Sequence, residues 1–208
     1  MRIVDITRPL SPDTAPWPGD TPFTLQWKER LDRGGFVNLS ALALSPHIGT
    51  HVDAPCHVRD GEPGIGELAL GPFVGPARVV RARPGEDGAL PPETLAGIDP
   101  ADPPRLLFRT DTNPDPLLWN PRFAAFAPET ADILANRGVR LVGIDTPGID
   151  LPSSSDLPVH HRFVEAGIRW IENLDLSAVE EGVYDLIALP LRISGGDASP
   201  VRAVLIER

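Results

Sequence analysis

Prolines and glycines interrupt this chain at short intervals, which favours short secondary-structure elements joined by stiff loops. The sequence has 25 prolines and 19 glycines among its 208 residues. They lie between strand-like runs, and because proline fixes φ and lacks a backbone donor, they indicate rigid loops rather than disorder. The clearest of these loops is residues 14–22, which contains three prolines and Trp17.

Strand-like runs outnumber helical patterns along the chain. Strands are predicted at residues 2–6, 37–45, 77–82, 105–109, 139–144, 184–193 and 201–207. Helices are predicted at residues 128–137 and 158–169, with a shorter one after Pro91. In the first of these, Pro128 suits the initial helical position and Gly138 suits the residue just past the end. We therefore expect one α/β domain, residues 1–208, that is rich in β-sheet.

The composition is that of a soluble, acidic, globular protein. The net charge is −10 and the pI is about 4.9, which argues against nucleic acid or an anionic membrane as a partner. No apolar stretch approaches the roughly 20 residues that span a bilayer, and residues 1–6 lack the apolar character of a signal peptide. The single cysteine, Cys56, cannot form an internal disulfide, so we expect a protein of the reducing cytoplasm.

Three of the five histidines fall in one run, residues 45–57. If this run is extended, side chains of one parity share a face. Its odd-numbered polar residues are His47, His51, Asp53 and His57. Imidazole and carboxylate ligands on one face predict a metal site, which suits zinc and, less exclusively, manganese or iron. The alternative is a set of hydrogen-bonded polar side chains on a half-exposed strand.

His57 has a different expected role from the other members of the run. In an extended chain it lies roughly 13 Å from Asp53, too far to share an ion unless Pro55 bends the run. We therefore expect a proton carrier beside the metal, because the pKa of imidazole suits proton transfer near neutral pH. The alternative is a histidine that orients a metal ligand. Cys56 has the opposite parity, so we expect a buried structural cysteine rather than a nucleophile.

A second cluster offers further ligands but the residues alone do not choose among them. The candidates are His160, His161, Glu165 and Glu172. His161 and Glu165 have helical i, i+4 spacing, which also fits a solvated surface pair. His160 and Glu172 do not share a face of a straight helix, but they could meet if the helix ends near Arg169 and the chain turns back.

The histidine run resembles the HxGTHxDxPxH signature of the metal-dependent cyclase-like hydrolases. Four further blocks, residues 16–22, 143–147, 186–191 and 197–203, resemble the bacterial kynurenine formamidases (arylformamidases) within that family. The resemblance covers essentially the whole chain. It implies a swivelling β/β/α cyclase-like fold, a homodimer, and hydrolysis of N-formyl-L-kynurenine to L-kynurenine and formate in tryptophan degradation.

The same resemblance implies a site with two zinc ions per subunit. Its implied ligands are His47, His51, Asp53, His160 and Glu172, with Asp53 bridging both ions. His57 matches the family's proton donor and acceptor, and Trp17 matches its substrate-contacting aromatic residue, which suits an aryl formamide. Two alternatives remain: another cyclase-family enzyme that hydrolyses an amide or lactam, and a non-catalytic metal-binding protein.

Overall fold

A curled, nine-stranded mixed sheet forms the centre of the computed structural model, which describes residues 1–99 and 102–207. The strands in chain order are β1 (Ile3–Asp5), β2 (Thr24–Glu29), β3 (Leu39–Ala43), β4 (His51–Asp53), β5 (Val74–Arg81), β6 (Ala89–Leu90), β7 (Arg105–Arg109), β8 (Ala125–Phe126), β9 (Leu141–Ile144), β10 (Arg169–Glu172), β11 (Gly182–Ile187), β12 (Ala198–Pro200) and β13 (Val204–Ile206). The α-helices are α1 (Pro128–Asn136) and α2 (Pro158–Ala166).

The order of strands in the sheet is β1-β13-β11-β5-β7-β9-β10-β4-β12. The four central strands from β5 to β10 are parallel, and the flanking pairs are antiparallel. Strand β9 is buried throughout, as expected for a parallel strand covered on both faces. Alternate residues of β7 enter different cores: Leu107 packs on one side, while Leu106 and Phe108 face the side that holds α1 and α2.

Local signals in the sequence define both helices. Each begins with a proline at its first position, where the missing N–H removes no helical hydrogen bond. Helix α2 ends at Ala166, and Gly167 follows it with a φ of 71°, the left-handed conformation that glycine adopts without strain. The chain then turns directly into β10, and this turn brings the end of that strand back towards α2.

Most predicted elements are found near their predicted positions, but the histidine run differs. Both helices are confirmed, and the short helix after Pro91 is a 3₁₀ turn, Pro92–Leu95. The extended conformation assumed for residues 45–57 is not found, because only β4 is a strand. A turn precedes it, and a 3₁₀ helix, Pro55–His57, follows it because Pro55 starts a new helical turn.

Strands β2 and β3 form a separate two-stranded sheet, the hairpin of residues 24–43. Leu25 pairs with Leu42 and Trp27 with Ser40, so these four side chains share one face. Leu25, Trp27 and Leu42 remain 40%, 48% and 59% exposed. The hairpin connects the proline-rich loop of residues 14–22 to the turn that carries His47. No helix in the described ranges has both the length and the apolar character needed to cross a membrane.

Candidate active site

The pairing of β4 with two distant strands brings the polar residues of the site together. Strand β4 lies between β10 and β12. In this register His51 is the cross-strand partner of Glu172, and Asp53 is the partner of Ala198. Cross-strand neighbours lie about 5 Å apart, so the sheet itself fixes the separation of the two side chains. All three polar residues are buried, with Asp53 and His51 each 1% exposed.

His47 reaches the same place from the turn before β4. Gly49 in this turn has a φ of 67°, and a Cβ at that position would lie 2.5 Å from Leu10 Cδ2. Only glycine therefore allows the turn to pack this closely. The Gly49 carbonyl accepts a hydrogen bond of 2.9 Å from His51 Nδ1, which leaves Nε2 of that ring facing Asp53.

His57 returns to the site because the chain bends at Pro55. The 3₁₀ helix that starts there places the His57 ring centroid 4.3 Å from that of His47. The bend that the sequence left open as an exception is thus present. Cys56, in contrast, is half-buried, rather than fully buried as expected, against one of the two hydrophobic cores, and burial raises the pKa of its thiol. Its position fits the expected structural role rather than a nucleophile.

Helix α2 supplies His160, and Asp150 holds that ring in place. His160 Nδ1 lies 2.6 Å from Asp150 Oδ2, and the same carboxylate accepts hydrogen bonds from the backbone N–H groups of Val159 and His160. His160 Nε2 lies 3.6 Å from Glu172 Oε1. The predicted meeting of His160 and Glu172 therefore occurs. His161 and Glu165 do not form the alternative pair, since Glu165 pairs with Arg59 at 3.0 Å.

The centre of the cluster contains buried polar atoms that no described residue satisfies. His51 Nε2 lies 3.3 Å from both Asp53 Oδ1 and Glu172 Oε2, and Asp53 Oδ1 lies 2.9 Å from His47 Nδ1. Despite these distances, neither His51 Nε2 nor Asp53 Oδ1 has a hydrogen-bond partner of acceptable geometry. Buried polar atoms are rarely left unpaired, so lone pairs converging on one point fit a cation.

Among the residues that the structure describes, two groups of side chains have ligand atoms close enough to hold a metal ion. In each group the ligand atoms lie within 4.8 Å of one another; the groups are His47, Asp53 and His57, and His51, Asp53 and Glu172. Asp53 belongs to both. Asp53 Oδ2 also lies 3.8 Å from His160 Nε2 and accepts a hydrogen bond of 3.1 Å from Trp170 Nε1.

The charges of the cluster are strongly coupled. Burial favours neutral imidazoles and is the largest influence on these histidines, but the adjacent carboxylates outweigh it. The pKa of His47 and of His160 is therefore raised, and that of His51 is raised to about 10. Burial likewise acts most strongly on Asp53, yet His51 and His47 hold its pKa well below the ordinary value. In the absence of a metal, protons provide the positive charge that this cluster of carboxylates requires.

The cluster forms the floor of a pocket of about 500 Å³. All the predicted site residues line this pocket: Trp17, His47, His51, Asp53, His57, His160 and Glu172. Its mouth is aromatic, because Trp17 and Trp119 line it and contact each other edge to face with ring centroids 4.6 Å apart; the buried Phe123 packs behind them, 6.1 Å from the Trp17 ring. A flat aromatic group with a polar substituent fits such a pocket, with the ring at the mouth and the substituent at the floor.

Sequence reasoning missed several residues of this site. Asp150, Asp197 and Trp170 hold the ligand candidates, and Trp119 forms part of the aromatic mouth. These residues lie far along the chain from the histidine run, and single aspartates and tryptophans carry no pattern of their own. Among them, only Asp197 fell within a block that the family resemblance had singled out.

Comparison with known proteins places the chain in a family. Residues 4–151 match the family described as "Putative cyclase". The chain is 49% identical to a kynurenine formamidase of Bordetella pertussis over 206 residues, which is 99% of this chain and 98% of that protein.

Solved structures give the same result for the fold, and the expected single-domain, β-rich α/β cyclase-like fold is confirmed. A predicted metal-dependent hydrolase from Bacillus stearothermophilus superposes with a TM-score of 0.84 at 28% identity, over 100% of this chain and 98% of the other. Isatin hydrolase A from Labrenzia aggregata superposes with a TM-score of 0.82 at 27% identity, over 100% and 94%. Sequence and fold agree over the full length, and the chain therefore belongs to the cyclase family, with kynurenine formamidases among its relatives.

Proposed function

We propose that this protein is a metal-dependent arylformamidase that hydrolyses N-formyl-L-kynurenine to L-kynurenine and formate. The observation that carries the proposal is the pocket itself, in which an aromatic mouth lies above a buried imidazole and carboxylate cluster. The substrate has the same two parts, an aryl ring and an attached formamide. The 49% identity to a kynurenine formamidase over nearly the whole chain supports the same substrate.

The metal site in this proposal holds two zinc ions per chain. The residues that would hold the ions are His47, His51, Asp53, His160 and Glu172, with Asp53 contributing to both positions. The unpaired atoms His51 Nε2 and Asp53 Oδ1 support this assignment, as does the membership of Asp53 in both groups of ligand atoms. When bound, the ions would act as Lewis acids that lower the pKa of water and polarise the formyl carbonyl.

The side chains of the pocket account for binding and for proton transfer. The aromatic mouth binds the aryl ring and directs the formamide to the floor. Water adds to the formyl carbon as His57 accepts one of its protons, the C–N bond then breaks, and His57 delivers that proton to the departing aryl amine. The products are formate and the free amine. His57 is suited to this step because its side chain is 32% exposed, in contrast to the 2% of His51, so it can exchange protons with solvent.

A second candidate reaction is hydrolysis of a cyclic aryl amide. Isatin hydrolase A shares the fold over the whole of this chain, and the aromatic mouth would accept a fused aryl lactam as well as an open formamide. Comparing turnover of formylkynurenine with that of isatin separates the two reactions. A non-catalytic metal-binding protein would turn over neither.

We also propose that the protein is a homodimer joined through the hairpin of residues 24–43. The exposed large apolar side chains of this hairpin are Leu25, Trp27, Leu31, Phe36, Val37, Leu39 and Leu42. Monomers rarely leave a contiguous apolar patch larger than a few hundred Å² uncovered, and about 800 Å² per partner suffices for a stable interface. An isolated hairpin is also marginal in water without packing on one face.

Sedimentation or light scattering tests the dimer. A particle of twice the 22.4 kDa chain mass is expected, and Trp27→Ser with Leu42→Ser should shift it towards the monomer. A wild-type particle of 22.4 kDa at micromolar concentration would rule the dimer out. The enzyme is further proposed to act in the cytoplasm, consistent with a single thiol at Cys56, which cell fractionation would test.

Turnover and metal content together test the enzyme assignment. We expect the purified protein to hydrolyse formylkynurenine, to lose activity with a chelator, and to carry about two zinc ions per chain. Bound metal without turnover of formylkynurenine would show that formylkynurenine is not the substrate. Turnover that a chelator does not inhibit would contradict the metal-dependent mechanism.

A variant of His57 tests its role separately from the ligands. His57→Ala should reduce kcat strongly and keep both metal ions, whereas His51→Ala should lose metal as well as activity. If His57→Ala also loses metal, the residue is a ligand, as its proximity to His47 and Asp53 allows.

A further inference from the structure

Asp197 lies immediately before β12, where strand pairing presents its carboxylate to two histidines of the site. Ala198 pairs with Asp53, and the Asp197 carbonyl accepts a hydrogen bond of 2.8 Å from the backbone N–H of Ala54. The preceding loop is also held, because the Gly196 carbonyl accepts a hydrogen bond of 2.8 Å from Ile65 N–H. The backbone of Asp197 is therefore fixed by its hydrogen bond to the end of β4.

One carboxylate oxygen of Asp197 contacts both imidazoles. Oδ2 lies 2.9 Å from His47 Nε2 and 3.6 Å from His57 Nδ1. The two rings lie against each other, with centroids 4.3 Å apart. A single oxygen thus lies between the proposed metal ligand and the proposed proton carrier.

The contact with His47 completes a pattern shared by the proposed histidine ligands. In each ring one nitrogen donates to a fixed oxygen outside the cluster: His51 Nδ1 to the Gly49 carbonyl and His160 Nδ1 to Asp150. In His47 the corresponding nitrogen is Nε2, and its acceptor is Asp197. When His47 is neutral, as metal binding requires, a carboxylate acceptor places the ring proton on Nε2. The lone pair of Nδ1 then lies on the side of Asp53, 2.9 Å from its Oδ1, where a metal ion would accept it.

We infer that Asp197 is a positioning residue that acts through both histidines. Through His47 it selects the tautomer that binds metal, and through His57 it keeps the proton carrier against the site. The inference about His57 rests on the proposed function, whereas the inference about His47 needs only a metal site. The Asp197 side chain is 50% exposed, so its removal opens no cavity in the core.

Zinc competition against a chromophoric chelator tests the effect through His47 without any substrate. Asp197→Ala should weaken zinc binding about ten- to hundredfold, the range usual for loss of a residue that orients a metal ligand. Asp197→Asn keeps an amide oxygen that accepts from His47 Nε2–H, so it should restore most of the affinity. The matched control is Asp60→Ala, which removes an exposed carboxylate three residues after His57. This variant should bind zinc with wild-type affinity.

Steady-state kinetics at saturating zinc test the effect through His57. For Asp197→Ala we expect kcat to fall at least about tenfold while KM stays within about twofold, because Asp197 does not line the pocket. A variant with wild-type zinc affinity and wild-type kcat would overturn the inference. So would an Asp197→Asn protein as impaired in zinc binding as Asp197→Ala. If the wild type binds zinc but does not hydrolyse formylkynurenine, only the proposed function fails. The zinc competition would still test the effect of Asp197 on His47.

Discussion

Removing the metal should reverse the direction in which stability responds to pH. In the metal-free protein the pKa of His51 is raised to about 10, because Asp53 and Glu172 outweigh the opposing effect of burial. The ordinary value is 6.5, which we take for the unfolded chain. A group whose pKa is raised on folding adds stability that is complete below the unfolded value and is lost as pH rises towards the folded value.

The size of the stability change follows from the difference between the folded and unfolded pKa values of His51. Between pH 6.5 and about 10, each pH unit removes about 1.4 kcal/mol of the stability that protonated His51 provides. Raising the pH from about 7 to about 8.5 should therefore destabilise the metal-free protein by about 2 kcal/mol. The raised pKa values of His47 and His160 act in the same direction. In the loaded protein the imidazoles must be neutral to bind metal, so affinity should rise about tenfold per pH unit for each proton displaced.

Urea unfolding of chelated and zinc-loaded protein at about pH 6.5, 7.5 and 8.5 measures both effects. Calorimetric titration with zinc in two buffers of different ionisation enthalpy counts the protons released. The control is His51→Gln, which should flatten the pH dependence of the metal-free protein. A chelated wild type that is equally stable at the two ends of this pH range, or zinc binding without proton release, would refute the reasoning.

Three substitutions test two further residues of the site and the packing of the core. Trp119→Ala should raise KM for formylkynurenine about two- to tenfold with little change in kcat, measured by steady-state kinetics, because it removes one wall of the aromatic mouth. Asp150→Ala should weaken zinc binding about ten- to hundredfold in chelator competition, because the His160 ring loses its acceptor. Gly143→Ala should destabilise the loaded protein by about 1–3 kcal/mol in urea, because the new Cβ would lie 2.5 Å from Leu107 Cδ2.

Each of these has a result that contradicts it. An unchanged KM in Trp119→Ala would remove that ring from the substrate site. Wild-type zinc affinity in Asp150→Ala would mean that packing alone orients His160. For Gly143, an unchanged urea midpoint would show that Leu107 can move aside. Gly138→Ala is a useful comparison, because a Cβ there would meet no atom within 4 Å and only the left-handed backbone, with a φ of 70°, would be strained.

The sequence predicted which residue types form the site but not how they are arranged. Residue types indicate the chemistry of a site and do not determine the path of the chain. The parity argument for residues 47–57 assumed an extended chain, and the chain there is a turn, a three-residue strand and a 3₁₀ helix. The residues nevertheless converge, because the turn at Gly49 and the bend at Pro55 bring His47 and His57 back to Asp53, from which an extended chain would have carried them away. The residue types therefore identified the site, although the extended conformation assumed for residues 47–57 was wrong.

Local signals in the sequence predicted the helices. They did not predict the position of β4 or the roles of Asp150 and Asp197, because these depend on contacts between segments far apart in sequence. Pro128 and Pro158 mark helix starts that depend only on neighbouring residues. The position of β4 between β10 and β12 depends on hydrogen bonds and packing between segments far apart in sequence. For the same reason Asp150 and Asp197 could not be predicted, since an isolated aspartate becomes informative only when the fold brings it to an imidazole.

The central place of β4 also sets the time at which the site can form during synthesis. Asp197 lies 150 residues after His47, and β10 and β12 both follow β4 by more than a hundred residues. A ribosome adds these residues over many seconds, during which the histidine run lacks Glu172, His160 and Asp197. The complete ligand set is therefore assembled only after nearly all of the chain has been made, and a chain cut before β12 would present β4 as an open sheet edge.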